Sequence, residues 1–276
     1  MNCIRYIFKF YNMIRSPFFS IRTAGDTGAT THRNPAPAPA SEAVRRTGSI
    51  ARAWLAAGLA LAATGLAPET RAETLRILML GDSLTAGYGL ASRDGLPARL
   101  EAALRARGLD ARVIDAGVSG DTTAGGLARL EWALADRPHA VIVALGANDA
   151  LRAIDPAVAR SNLDRLLTAL AERSLPVLLA GMLAPRNLGP QYGARFDAIY
   201  PELAERHGAL LYPFLLDGVA TVPALNQADG LHPNQAGVEV IVERMLPSVL
   251  CLAARIAHPA AASAQLAAEA TGCADG

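Results

Sequence analysis

The chain has 276 residues, 51% of them hydrophobic, and 26 Lys+Arg against 25 Asp+Glu. This length and apolar content fit one or two packed domains and exclude a wholly disordered chain. The balance is uneven: residues 1–72 hold nine cations and three acids, leaving 17 arginines, no lysine and 22 acids in 73–276. Lysine Schiff-base, Walker-lysine and Ser-Lys chemistry are therefore excluded from the later part, and an acidic region without a basic run predicts no nucleic-acid partner.

Residues 53–67 form one uncharged apolar run, too short for a comfortable bilayer span of about 20 residues. Arg45, Arg46 and Arg52 precede it, and Ala72 stands before Glu73, the order of a cleaved secretory signal. An uncleaved anchor is the other reading. Segment 44–72 is thus expected to be a signal peptide, cleaved near Ala72, that directs residues 73 onward to the periplasm or outside the cell and leaves no stable membrane span. Residues 1–43, with a Pro-Ala repeat at 35–40, read as a disordered extension or as untranslated if the start is Val44.

From residue 76 onward, apolar runs alternate with helical periodicity. Strands are expected at 76–82, 112–115, 140–145, 176–182 and 209–211. Helices are expected at 97–107, 127–135, from an Asp155 N-cap to Arg173, at 195–207, and from about Asn234 past Met245. Such alternation predicts a parallel sheet covered by helices on both faces, in one domain over 73–258, followed by a loosely ordered Ala-rich tail at 259–276.

Ligands of open parallel sheets bind beyond the C-terminal strand ends. Four polar clusters fall there or at a helix entrance: Gly81-Asp82-Ser83-Leu84, Ser119-Gly120-Asp121-Thr122, Gly146-Ala147-Asn148-Asp149 and Asp229-Gly230-Leu231-His232-Pro233. Together they supply what acyl transfer needs. Ser83 is a candidate nucleophile, His232 the base that takes its proton, and Asp229 the carboxylate that holds the ring. Ser83 N–H, Gly120 N–H and the Asn148 amide are candidate donors to an oxyanion. The G-x-S-x-G elbow of α/β-hydrolases is absent, because Thr85 follows where the second glycine would stand.

These four blocks, in this order over about 75–250, resemble those of the GDSL, or SGNH, hydrolases. Residues 81–88, 119–130 and 192–196 are most similar to the bacterial periplasmic thioesterase I, lysophospholipase L1 and arylesterase group. The resemblance implies a three-layer α/β/α sandwich with a flavodoxin-like, five-stranded parallel sheet. It also implies a Ser83-His232-Asp229 triad, an oxyanion hole of Ser83, Gly120 and Asn148, and no metal or cofactor. The substrates implied are small-molecule acyl esters and thioesters: aryl esters, acyl-CoA and lysophospholipids. Two other readings use the same residues, a carbohydrate O-acetylesterase and a non-enzymatic flavodoxin-like binding module.

Around this site, Asp82 and Asp121 are read as helix N-caps and Asp149 as a group that fixes its loop. Arg152 is read as solvated, and Tyr88 either lines the cleft or covers the first helix. Segments 150–154 and 182–188 are expected to line an acyl groove with a movable lip at 186–190. His139, His207 and His258 are read as structural or solvated. Cys3, Cys251 and Cys273 offer no C-x-x-C and no metal-ligand spacing. Cys251 is read as a helix residue, with a bridge to Cys273 as the alternative.

Overall fold

The computed structural model describes residues 73–257. The leader segments, the tail from His258 and Cys273 lie outside the described residues. Five strands, β1 (Leu75–Gly81), β2 (Ala111–Gly117), β3 (Ala140–Ala144), β4 (Val177–Ala180) and β5 (Leu210–Tyr212), form one parallel sheet in the order β2-β1-β3-β4-β5. Register is set by pairs such as Ile77 with Val113 on one side and Met79 with Ile142 on the other. The central strands form because a short apolar run must bury both faces: Ile77 to Leu80 and all of β3 are fully buried, whereas the edge strand β2 exposes Arg112 and Asp115. Each such Leu or Ile contributes about 1.5–3 kcal/mol by leaving water.

The strand connections carry α1 (Ser83–Ala86), α2 (Leu96–Ala106), α3 (Thr123–Ala128), α4 (Leu130–Ala133), α5 (Ala147–Leu151), α6 (Pro156–Glu172), α7 (Pro190–Asp197) and α8 (Ile199–His207), and α9 (Gln235–Ala257) follows β5. Helix α2 packs on α9, where Arg99 pairs with Glu239, while α6 packs on α3 and α8. Two helical layers thus sandwich the sheet, the expected α/β/α architecture of flavodoxin-like order. Helix α6 begins as its sequence requires: the Asp155 carboxylate accepts from Ala157 N–H at 3.0 Å and Pro156 occupies the first turn. No helix among the described residues is long and apolar enough to cross a membrane.

Two helical segments depart from the sequence expectation. The helix expected at 127–135 starts at Thr123, is interrupted at Arg129 and ends in a 3-10 turn, Leu134–Asp136. Thr122, not Asp121, caps it, its hydroxyl accepting from Gly125 N–H at 3.3 Å. Asp121 instead pairs with Arg129 at 2.6 Å. The Gly125-Gly126 pair reads as a turn but is helical, and Gly126 serves packing instead: a Cβ there would stand 2.2 Å from Leu145 Cδ1. Likewise the helix expected at 195–207 begins at Pro190 and breaks at Ala198.

The chain leaves β1 toward β2 and leaves β3 toward β4, so connections depart in opposite directions from these two neighbouring strands. In open parallel sheets ligands bind at such a point, beyond the C-terminal ends of the two strands.

Candidate active site

The end of β1 turns directly into α1, whose N-cap is the buried Asp82. Its Oδ1 accepts from Leu84 N–H at 3.0 Å, which holds the turn that presents the half-buried Ser83. Beyond β2 the chain passes through Gly120, whose φ of +84° only glycine adopts without strain. Among the described residues, neither Ser83 N–H nor Gly120 N–H donates to a protein acceptor.

After β3, Asn148 sits in α5. Its neighbour Asp149 is buried and accepts from Thr123 N–H at 2.8 Å and Thr123 hydroxyl at 2.6 Å, which fixes α5 against α3 as expected. Asn148 Nδ2 donates to Asp121 C=O at 2.9 Å and to Asp82 Oδ2 at 3.2 Å. Both of its amide hydrogens therefore have protein acceptors.

Asp229 and His232 lie in a small hairpin closed by an antiparallel bridge between Asn226 and Pro233. Gln227 N–H donates to His232 C=O at 2.8 Å, and the buried Asn226 amide holds Val219 C=O and Val222 C=O at 2.7 and 2.8 Å. Inside the hairpin, Asp229 Oδ1 accepts from Leu231 N–H and His232 N–H, at 2.9 and 3.0 Å. Its Oδ2 accepts from His232 Nδ1 at 2.6 Å. The backbone bond from His232, its ring bond and the Leu231 bond hold the Asp229 carboxyl down at about 2. His232 Nε2 then faces Ser83 Oγ at 2.9 Å, across 149 residues of chain.

The structure thus brings all five candidate residues to one end of the sheet. An imidazole with Nδ1–H committed to a carboxylate leaves Nε2 as an acceptor for the serine hydroxyl, a geometry suited to proton abstraction.

Arg152 and Arg129 were not legible as site residues, and Tyr88 was left open between the cleft and the first helix. Arg152, read as solvated, donates from Nη2 to Gly120 C=O at 2.8 Å and so braces the Gly120 turn. Tyr88 lies against His232, ring centroids 4.6 Å apart, and its C=O accepts from Gln227 Nε2 at 2.7 Å. Arg129 Nη2 donates to Gly81 C=O at 2.8 Å, just before the serine turn. None of these carries a sequence signal, because each contact joins separate strand ends.

Exposed apolar side chains follow the strand ends: Tyr88 after β1, Val118 after β2, Leu151 at the end of α5, Leu183 after β4, with Leu231 in the hairpin. Of segment 182–188, Met182 and Ala184 are buried instead, while Leu183 is exposed and Leu188 half-buried. The lip at 186–190 is tethered: Arg186 pairs with Asp197 at 3.2 Å, and Asp197 also accepts from Ala184 N–H at 2.8 Å. His139 accepts from Arg76 N–H and His207 pairs with Asp164, both away from Ser83 and structural as read.

The fold is that of the SGNH hydrolases, and comparison with known proteins agrees. Residues 79–240 match the GDSL-like Lipase/Acylhydrolase family, and the chain belongs to that family as a carboxylic-ester hydrolase. It is similar to Esterase TesA of Pseudomonas aeruginosa, 40% identical over 199 residues, which cover 72% of this chain and 98% of that protein. It is also similar to Thioesterase 1/protease 1/lysophospholipase L1 of Escherichia coli K12, 37% identical over 63% of this chain and 82% of that protein. Among solved structures, the SGNH-hydrolase family esterase AlinE4 is 50% identical with a TM-score of 0.57, over 65% of this chain and 97% of that one.

Proposed function

We propose that the protein hydrolyses acyl esters and thioesters through a Ser83-His232-Asp229 triad and an acyl-enzyme. The observation that carries this reading is the unbroken relay Asp229 Oδ2–His232 Nδ1 and His232 Nε2–Ser83 Oγ, at 2.6 and 2.9 Å. His232 Nε2 takes the hydroxyl proton as Ser83 Oγ bonds to the carbonyl carbon, and Asp229 stabilises the imidazolium. The negative charge forming on the carbonyl oxygen is met by Ser83 N–H, Gly120 N–H and an Asn148 amide hydrogen that it shares with Asp82. The imidazolium then protonates the departing alcohol or thiol as its bond to carbon breaks. Water, deprotonated by His232, releases the acyl group as acid and restores Ser83.

The substrate class is aryl esters, acyl-CoA thioesters and lysophospholipids, small molecules with an acyl chain. Exposed Tyr88, Val118, Leu151 and Leu183 around the strand ends support an acyl group longer than acetyl. The E. coli relative's name, with thioesterase and lysophospholipase in it, points the same way. We also place the enzyme in the periplasm or outside the cell after cleavage near Ala72, on the strength of the 44–72 signal pattern. Mass spectrometry of the mature protein would then find Glu73 at or near its N-terminus.

Ser83→Ala tests the chemistry. It should abolish nitrophenyl-ester turnover and fluorophosphonate labelling while leaving the far-UV circular dichroism unchanged. Retention of a tenth of the wild-type kcat would remove Ser83 from the role of nucleophile.

A further inference from the structure

We propose that Asp82 is a positioning residue that couples the nucleophile turn to the oxyanion donor. Its two carboxylate oxygens are divided between them. Oδ1 accepts from Leu84 N–H at 3.0 Å and fixes the turn carrying Ser83, while Oδ2 accepts from Asn148 Nδ2 at 3.2 Å. The carboxylate is 1% exposed, so it is screened from water and a rigid mount rather than a solvated cap. The Asn148 amide is fixed in its plane by the shorter bond to Asp121 C=O at 2.9 Å. The longer bond to Asp82 is the one whose hydrogen can be shared with a developing oxyanion while the amide stays in place.

Sequence reasoning assigns Asp82 only the capping half of this role, which a side chain touching Leu84 N–H alone would fill. The second half has a chemical purpose. An amide nitrogen held from two directions, one acceptor on the β2 side and one on the β1 side, presents its hydrogens with little freedom to rotate. Preorganised donors matter in proportion to how little they must reorganise as charge develops. Asp82 touches neither substrate nor reacting atoms in this scheme and acts through Asn148.

The inference rests on Asn148 being an oxyanion donor, and the variants separate the two claims. Asp82→Asn keeps one oxygen, which stays on the Leu84 backbone donor because an unmade bond to a buried backbone N–H is costly. Its new amide group then meets Asn148 Nδ2, donor against donor. Asp82→Ser is the second variant: a serine N-cap holds Leu84 N–H but is too short for Asn148.

Each should lower kcat on a nitrophenyl ester by about 10- to 100-fold with KM changed less than about threefold. On an Asn148→Ala background, the same substitutions should cost less than about threefold, since the group they act through is gone. Equal losses in both backgrounds, or unchanged kcat in the single variants while Asn148→Ala is impaired, would reduce Asp82 to a cap and overturn the proposal. A rise in KM at constant kcat would do the same. If Asn148→Ala itself keeps full kcat, the oxyanion assignment fails first and the coupling with it.

Discussion

Replacing Asp82 by Asn should make the protein more stable at alkaline pH. The carboxyl is buried beneath the serine turn, and loss of hydration raises its pKa from 3.8 to about 6, tempered by the bonds from Leu84 and Asn148 and by the charge of His232. A group whose pKa is raised on folding favours the native state when protonated. Its contribution is intact below about pH 4 and is lost as pH climbs through about 6. At pH 8 the ionised form burdens the fold by about 3 kcal/mol, falling to about 0.5 kcal/mol at pH 4. Asparagine carries no such charge but sets its buried amide donor against Asn148 Nδ2, at a cost of about 2 kcal/mol. The variant should therefore be about 1 kcal/mol more stable than wild type at pH 8 and about 1.5 kcal/mol less stable at pH 4, the curves crossing at about pH 5.3. Urea denaturation at pH 4, 5, 6 and 8, with linear extrapolation to water, measures this directly. A difference that stays constant across the range would refute the account, because a lost contact is independent of pH and a buried charge is not.

Asn148→Ala should lower kcat by about 10²–10³ with little change in KM, and a pure KM effect in steady-state kinetics would make Asn148 a ground-state binding residue. Asp229→Asn should keep the hairpin but favour the wrong tautomer of His232, so kcat should fall by about 10⁴; near-normal turnover would show that the Asp229–His232 bond serves the hairpin alone. On nitrophenyl esters, kcat/KM should rise from two to about eight carbons and then level off, each added methylene contributing at most about 0.8 kcal/mol where it meets apolar side chains. Preference for acetylated sugars with no cleavage of longer chains would instead establish the O-acetylesterase reading.

The sheet and the site were legible for different reasons. Strands such as β3, Ala-Val-Ile-Val-Ala, announce themselves because a strand buried on both faces has no polar alternation to confuse it. Ser83, Gly120, Asn148, Asp229 and His232 were legible because they stand in short blocks at strand ends, with residue types that have a chemical meaning. What escaped was whatever depends on a partner distant in sequence. Arg152 looked like any surface arginine until the fold set it on Gly120 C=O. Asp82 was correctly a cap, yet its second oxygen meets Asn148, 66 residues away. Helix boundaries failed where glycine serves packing instead of turning, as at Gly126 against Leu145.

The distance in chain between Ser83 and His232 bears on when the protein becomes chemically competent. Ser83 follows the first strand, while His232 waits for the hairpin whose position depends on α9 docking against α2. With the proposed triad, a polypeptide still growing from the serine end holds the Ser83 hydroxyl without the His232 imidazole that would take its proton. The appearance of esterase activity during refolding should then report the docking of the hairpin against the serine turn.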